Sequence, residues 1–120
     1  MKRAVLAATL TGVLSLAVAG CSAPKPTNPF ANDAAGVKRG QSIFVGTCGG
    51  YCHGTTPGPR DAPFLFDCTW LHGDRDEDLF KVISDGVPGT RMVSFRGALP
   101  EGDDDIWRVV AFIKAAGAKC

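Results

Sequence analysis

The sequence predicts an all-α domain of three to four short helices wrapped around a centre that they are too short to fill by themselves. Three observations carry this. Apolar residues recur at helical spacing in three separate stretches, and no run reads as a strand. Long segments rich in glycine and proline separate those stretches and admit no regular element of useful length. Loops of that length in so small a domain should be wrapped around something.

The first residues read as an address rather than as part of the fold. Lys2 and Arg3 supply a positive start, and Ala4 to Val18 is mostly apolar and uncharged. The run is too short to be read first as a spanning helix. It ends in Leu16-Ala17-Val18-Ala19-Gly20-Cys21. That resembles the bacterial lipobox, in which small residues precede a cysteine that becomes the lipidated first residue. The expectation is a signal peptide over residues 1–20, lipidation at Cys21 and an acyl anchor strong enough for stable attachment. The plainer alternative is an ordinary signal peptide cut after Ala19 or Gly20, or an uncleaved anchor. Removing residues 1–20 takes Lys2 and Arg3 away, so the net charge falls from +1 to −1. Such a balance has no basic excess for nucleic acid. What remains, about 100 residues, is one domain with a modest core.

Residues 21–32 are expected to be an extended tether, because Pro24, Pro26 and Pro29 are interspersed with Ser, Thr and Asn. The domain is placed at 33–120. Its first helix begins at Asn32 or Asp33, either a good N-cap. Val37, Gly40, Phe44 and Cys48 then share one face, and the glycines around Cys48 should fray the end. In the second helix, Asp74 with Glu77 three residues later reads as a capping box. Leu79, Phe80, Val82 and Ile83 form its apolar stripe, and Gly86 its C-cap. The third helix starts between Pro100 and Asp103. Asp103, Asp104 and Asp105 suit the positive end of its dipole, and Lys114 and Lys119 the other. Ile106, Val109, Val110, Ile113 and Ala116 make its buried stripe.

Cys48-Gly49-Gly50-Tyr51-Cys52-His53 supplies what fills the centre. Two thiols and an adjacent imidazole are what covalent haem attachment uses: the thiols add across two vinyl groups, and the imidazole reaches the iron from the same side. The usual gap between the cysteines is two residues, and here it is three. Gly49 and Gly50 let the extra residue bulge without a Cβ clash. Met92 lies in an apolar, glycine-rich loop between two helices, where its thioether is available to the opposite face of the iron. His53 with Met92 would close both axial positions, which favours electron transfer over chemistry on a bound substrate. The chain is accordingly read as a carrier and not as an enzyme.

Nearly the whole domain resembles a small bacterial class I cytochrome c. Gly40-x-x-x-Phe44 is similar to the family's glycine and aromatic before the attachment site, and Cys48…Cys52-His53-Gly54 to the site itself. Ala62-Pro63-x-Leu65 resembles the segment whose proline carbonyl accepts the proton of the ligand imidazole. Leu79-Phe80-x-x-Ile83…Gly86…Met92…Phe95 resembles the helix and loop that carry the methionine, with Val93 where proline often follows it. Ile106-Trp107-x-Val109-Val110-Ala111-Phe112-Ile113 resembles the C-terminal helix, whose aromatic packs on the first helix near Gly40. The resemblance implies a cytochrome c fold, one covalent haem c, iron ligation by His53 and Met92, and transient redox partners to a monomer on the periplasmic side of a membrane. Ser22 after Cys21 favours the outer membrane. The segments Asp78-Leu79-Phe80 and Gly86 to Met92 and the Cys48-x-x-Tyr51-Cys52-His53 core also look similar to cytochromes that accept electrons from quinoprotein (PQQ) alcohol dehydrogenases.

Trp70, Arg60, Arg75 and Arg91 are candidate partners for the haem propionates, with Trp70 and Arg91 preferred, because a buried carboxylate needs such a partner. Cys68 and Cys120 remain for a disulfide that would tie down the C-terminus. A rival pairing joins Cys48 to Cys68 and leaves the haem on Cys52 alone. Other readings also stand at this point. Cys48, Cys52, Cys68 and His72 have spacing suited to structural zinc. A disulfide scaffold would make the chain an exported binding module. A haem whose sixth site is open, with Met92 a core residue and His72 on the surface, would make a gas sensor or peroxidase.

Overall fold

The structure, a computed structural model, describes residues 27–119. The expected signal peptide, Cys21, most of the tether and Cys120 lie outside the described residues. Three α-helices and one π-helical segment make up the regular structure: α1 (Ala34–Ile43), the π-helix (Phe44–His53), α2 (Asp76–Asp85) and α3 (Asp103–Ala116). No strand occurs among the described residues. No described helix is long and apolar enough to cross a membrane.

Helix α1 starts where a cap was expected, with the Asp33 carboxylate accepting the Ala35 N–H at 3.0 Å. It does not fray at the glycines after Phe44. The chain continues directly into i→i+5 hydrogen bonding, closing with Gly54 N–H donating to the Gly49 carbonyl at 3.0 Å. A Cβ at Gly49 would lie 3.2 Å from the Phe44 ring and 3.3 Å from the Phe44 carbonyl, so a side chain there would crowd the turn. The wide turn absorbs the third residue between the cysteines, which a regular α-turn would not.

Helices α1 and α3 cross in close contact. At Gly40 a Cβ would collide with the Arg108 carbonyl, so only glycine lets the two backbones meet. Phe44, one turn on, is fully buried, and Phe112 of α3 packs on it with ring centroids 5.5 Å apart. Phe66 meets both rings edge-on, at 5.3 and 5.8 Å. Ile106, Val109, Val110 and Ile113 fill the seam with Leu79 and Ile83 of α2. Trp107 faces the other way and stacks on Phe80 of α2 at 4.1 Å. Ala116, placed in the α3 stripe from periodicity, is exposed because the seam ends a turn earlier.

Three further features differ from expectation. The packed domain begins at Asn28 rather than at residue 33. Asn28 is fully buried, its amide donating to the Trp107 carbonyl at 2.9 Å and its Oδ1 accepting the Phe30 N–H. Arg108 lies over the Phe30 ring at 4.4 Å. The end of the tether is thus held by polar satisfaction that composition does not reveal. Helix α2 is capped one residue late, at Arg75. Asp78, not Glu77, reaches back to the cap N–H, because its carboxylate is also drawn to the Arg75 guanidinium at 2.8 and 2.9 Å.

Asp105 is the third departure. It was read with Asp103 and Asp104 as a charge suited to the helix start, and it is fully buried. Arg39 of α1 donates to its two oxygens at 2.7 and 2.9 Å, Arg108 at 2.8 Å and the Glu101 N–H at 3.0 Å. Those donors, Arg39 foremost, hold the carboxyl well below the usual carboxylate range against the opposing effect of burial.

Candidate functional site: the haem cavity

The helices leave a cavity of about 500 Å³ between α2, α3, the π-helix and the two irregular segments. Its walls are largely apolar: Phe44, Leu65, Leu79, Ile83, Phe95, Val109 and Ile113 all contribute. Of the residues proposed from sequence to hold the cofactor, Cys48, Cys52, His53, Pro63, Trp70, Arg91 and Met92 line it. Of the other propionate candidates, Arg75 is turned to Asp78 and Arg60 packs beside Gly54, and neither lines the cavity.

The π-helix delivers two cysteines and a histidine to one wall. Both thiols are free. Burial, and then the neighbouring Cys52 thiol, push the Cys48 thiol up to about 11. The His53 ring is fixed from behind: its Nδ1 lies 2.7 Å from the Pro63 carbonyl oxygen. A carbonyl can only accept, so Nδ1 carries the proton, and in the neutral ring it is Nε2 that keeps the lone pair. That is the tautomer a metal-binding imidazole needs, oriented by a backbone group.

Met92 reaches the cavity on a loop that is fastened at several points. Val87 N–H donates to the Met92 carbonyl at 2.9 Å, and Met92 N–H donates to the Thr90 hydroxyl at 3.1 Å. Phe95 N–H and Arg96 N–H are tied to the Ile83 and Ser84 carbonyls of α2. Gly86 ends α2 at φ +71°, and a Cβ there would sit 2.6 Å from the Met92 carbonyl. The same glycine therefore caps the helix and admits the methionine loop.

The remaining wall, residues 61–74, is pinned by α3 and the C-terminus. Lys114 donates to the Asp74 carbonyl at 2.7 Å and lies 5.6 Å from the Trp70 ring centroid. Ala118 N–H donates to the Phe66 carbonyl at 3.1 Å. Cys68 is disulfide-bonded and adopts φ +67°. Since Cys48 and Cys52 are both free thiols, the rival Cys48–Cys68 pairing is not the one adopted. Cys120, its expected partner, lies outside the described residues. The zinc alternative also fails on geometry: among the described residues no three His, Cys, Asp or Glu side chains are grouped to hold a metal. His72 lines the cavity at its exposed edge.

Sequence reasoning missed Asp61. It lines the cavity and forms an ion pair with Arg91, joining the segment that carries Pro63 to the loop that carries Met92. The positions lie 30 residues apart in irregular segments. No periodicity could have paired them.

The site suits haem c on its own observations: two free thiols and a fixed imidazole with its Nε2 lone pair on one wall, a lone thioether on a tethered loop, and an apolar space between. When bound, haem supplies a reversible one-electron change at its iron. The chain's part is to present His53 in one tautomer, hold Met92 in place and keep water from the apolar interior. Residues 35–113 match the family described as "Cytochrome C oxidase, cbb3-type, subunit III". A search of curated proteins finds no match. Among solved structures, the fold is similar to cytochrome cL from the marine methylotrophic bacterium Methylophaga aminisulfidivorans, with a TM-score of 0.63 and 26% identity. That likeness covers 72% of this chain and 59% of that one, so this chain spans less than two thirds of its relative's length. With an all-helical cytochrome c fold built around a cavity for covalent haem c, the chain belongs to the family described as cytochrome c oxidase, cbb3-type, subunit III, and is a small c-type cytochrome.

Proposed function

We propose that this protein is a one-electron carrier exported to the periplasmic side of a membrane, anchored there by lipid at Cys21, in which Cys48 and Cys52 bind haem as thioethers and His53 and Met92 ligate its iron. The observation that carries the reading is the His53–Pro63 hydrogen bond at 2.7 Å, within a cavity that also receives Cys48, Cys52 and Met92. It prepares one nitrogen for a metal on the wall where two free thiols stand. His53 and Met92 would together hold the haem iron and leave no open position for a substrate, so the bound group would supply one-electron exchange. Trp70 is the preferred propionate partner. Arg91 serves the same role only by sharing its guanidinium with Asp61.

A quinoprotein alcohol dehydrogenase is the proposed donor. The segments around Tyr51 and from Gly86 to Met92 support it, as does the similarity to a cytochrome of a methylotroph. The lipid anchor would raise the carrier's effective concentration near its partners. Expression in a host with haem-attachment machinery tests the core of the reading. The purified protein should show a reduced c-type α-band and the mass of one haem with no free thiol at Cys48 or Cys52. The oxidised protein should show the weak far-red band of iron–methionine bonding. A haem-loaded protein without that band would instead have an open sixth site, the mark of a sensor or peroxidase. A Cys48 thiol still reactive in the holoprotein would overturn double attachment.

A further inference from the structure

All but one of the arginines among the described residues face carboxylates. Arg39 and Arg108 both meet Glu101 and Asp105, Arg75 meets Asp78, Arg91 meets Asp61 and Arg96 meets Asp85. Arg60 is the exception, with no acidic side chain in ion-pair reach among the described residues. The sequence around it offers no compensation. Residues 40–59 contain no Asp, Glu, Lys or Arg, and the adjacent Asp61 is engaged by Arg91.

What Arg60 does meet is backbone, at the residue after His53. A Cβ at Gly54 would fall 2.4 Å from Arg60 Nε, 2.8 Å from its Cζ and 3.0 Å from its Nη2. The guanidinium plane therefore lies across Gly54, and any side chain at position 54 would push it away. Gly54 is itself fixed, at φ +67° with its N–H donating to the Gly49 carbonyl at 3.0 Å. A guanidinium suits this seat, because its plane is weakly hydrated and packs on neighbouring groups while it stays charged. Arg60 does not line the haem cavity, so its charge acts there through space and not by contact.

We infer that Arg60 tunes the reduction potential of the haem: it is an unneutralised positive charge, seated beside the ligand histidine, that favours the ferrous state. The inference rests on the electron-carrier reading, with His53 as ligand, and adds a residue that adjusts the same one-electron exchange. When ferric haem gains one electron, the charge at the iron falls by one unit and no atom or proton need move. A cation held nearby repels the ferric state more than the ferrous one, so it raises the potential. The other arginines contribute less, since each shares its charge with a carboxylate. Arg60 is exposed, so water and salt discount its field without abolishing it.

Spectroelectrochemical titration of the holoprotein tests this. At about 10 mM salt, where screening is weak, Arg60→Gln should lower the equilibrium constant for reduction about threefold, or about 28 mV at 59 mV per tenfold change. Arg60→Glu should lower it roughly tenfold, or about 59 mV. Arg60→Lys keeps the charge and should restore most of the native value. At about 1 M salt, where charges more than a few ångströms apart are screened, the gap between the native protein and Arg60→Gln should shrink by half or more. Lys38→Gln removes the same unit of charge from α1, at a residue that does not line the cavity, and should shift the potential less than half as much. The far-red iron–methionine band should be unchanged in all these variants. Equal shifts in Lys38→Gln and Arg60→Gln would show an effect of net charge alone and overturn the inference. So would equal shifts in Arg60→Lys and Arg60→Gln, or loss of the far-red band in both, since either would make the role of Arg60 structural. Each of those results leaves the carrier reading intact. A native protein without a reversible c-type haem couple would overturn that reading, and the inference with it.

Discussion

At the scale of single residues, the site depends on a few side chains whose surroundings leave them one role. His53 is held by the Pro63 carbonyl, so its free nitrogen is determined by a backbone atom and not by another titrating group. Met92 is the only methionine besides the initiator, and no second thioether can replace it. Met92→Ala is therefore expected to abolish the far-red band of the oxidised protein and lower the reduction potential, since methionine ligation raises it. Optical spectra and a redox titration check both. Persistence of the band would remove Met92 from the ligand set. Asp105 carries a prediction about acid. Its folded-state value lies below its unfolded one, so it contributes stability that is fully present above the ordinary carboxylate value of about 4 and lost as pH falls through the lower folded value. Urea midpoints measured from pH 6 to pH 2 should fall more steeply for the native protein than for Asp105→Asn. At neutral pH that variant should be less stable by on the order of 2 kcal/mol, because two guanidinium groups lose their buried acceptor.

At the scale of elements, two glycines set how the helices meet the site. Gly40 lets α1 and α3 touch, and a methyl group there has only the Arg108 backbone to displace. Gly40→Ala should cost about 1–3 kcal/mol, as overpacking does, seen as a lower thermal midpoint with an unchanged haem spectrum. Gly86→Ala should act differently. It strains a left-handed position and presses on the Met92 carbonyl, so weakening of the iron–methionine band should accompany a loss of about 1–2 kcal/mol. Intact ligation in a destabilised Gly86→Ala protein would show that the glycine serves α2 alone. The π-helix belongs at this scale too. Helical spacing from Val37 to Cys48 was readable in the sequence, and the glycines were read as an end to the helix. The structure instead spends them on a wider turn, because continuous i→i+5 bonds leave fewer backbone groups unpaired than a frayed end would.

For the whole molecule, the cavity dominates. Three short helices surround about 500 Å³ of apolar space, and the aromatic cluster of Phe44, Phe66 and Phe112 forms only one side of the core. Without its cofactor the domain would expose much of that lining to water. A Cys48→Ser, Cys52→Ser double variant, unable to attach haem, should therefore lose cooperative thermal unfolding by circular dichroism. A sharp transition in that variant would mean that the protein core suffices. The pinning of residues 61–74 by Lys114 and Ala118 explains how so irregular a wall keeps its shape: both anchors are hydrogen bonds supplied from a distant part of the chain.

The sequence by itself determined the helical class, the three amphipathic stretches, the two closely spaced cysteines with their histidine, and the pairing of Pro63 with His53 through its resemblance to cytochromes c. Those features are local: they depend on spacing along one segment or on a motif whose chemistry permits few alternatives. Only the tertiary structure decided that Asp105 is a buried clamp between α1 and α3, that Asn28 belongs to the packed domain, that Arg91 answers to Asp61, and that Cys48 is not paired with Cys68. Each of these joins positions far apart in sequence through a side chain or backbone group that could equally have faced water. Which of them does so depends on where the folded chain brings a partner to meet it.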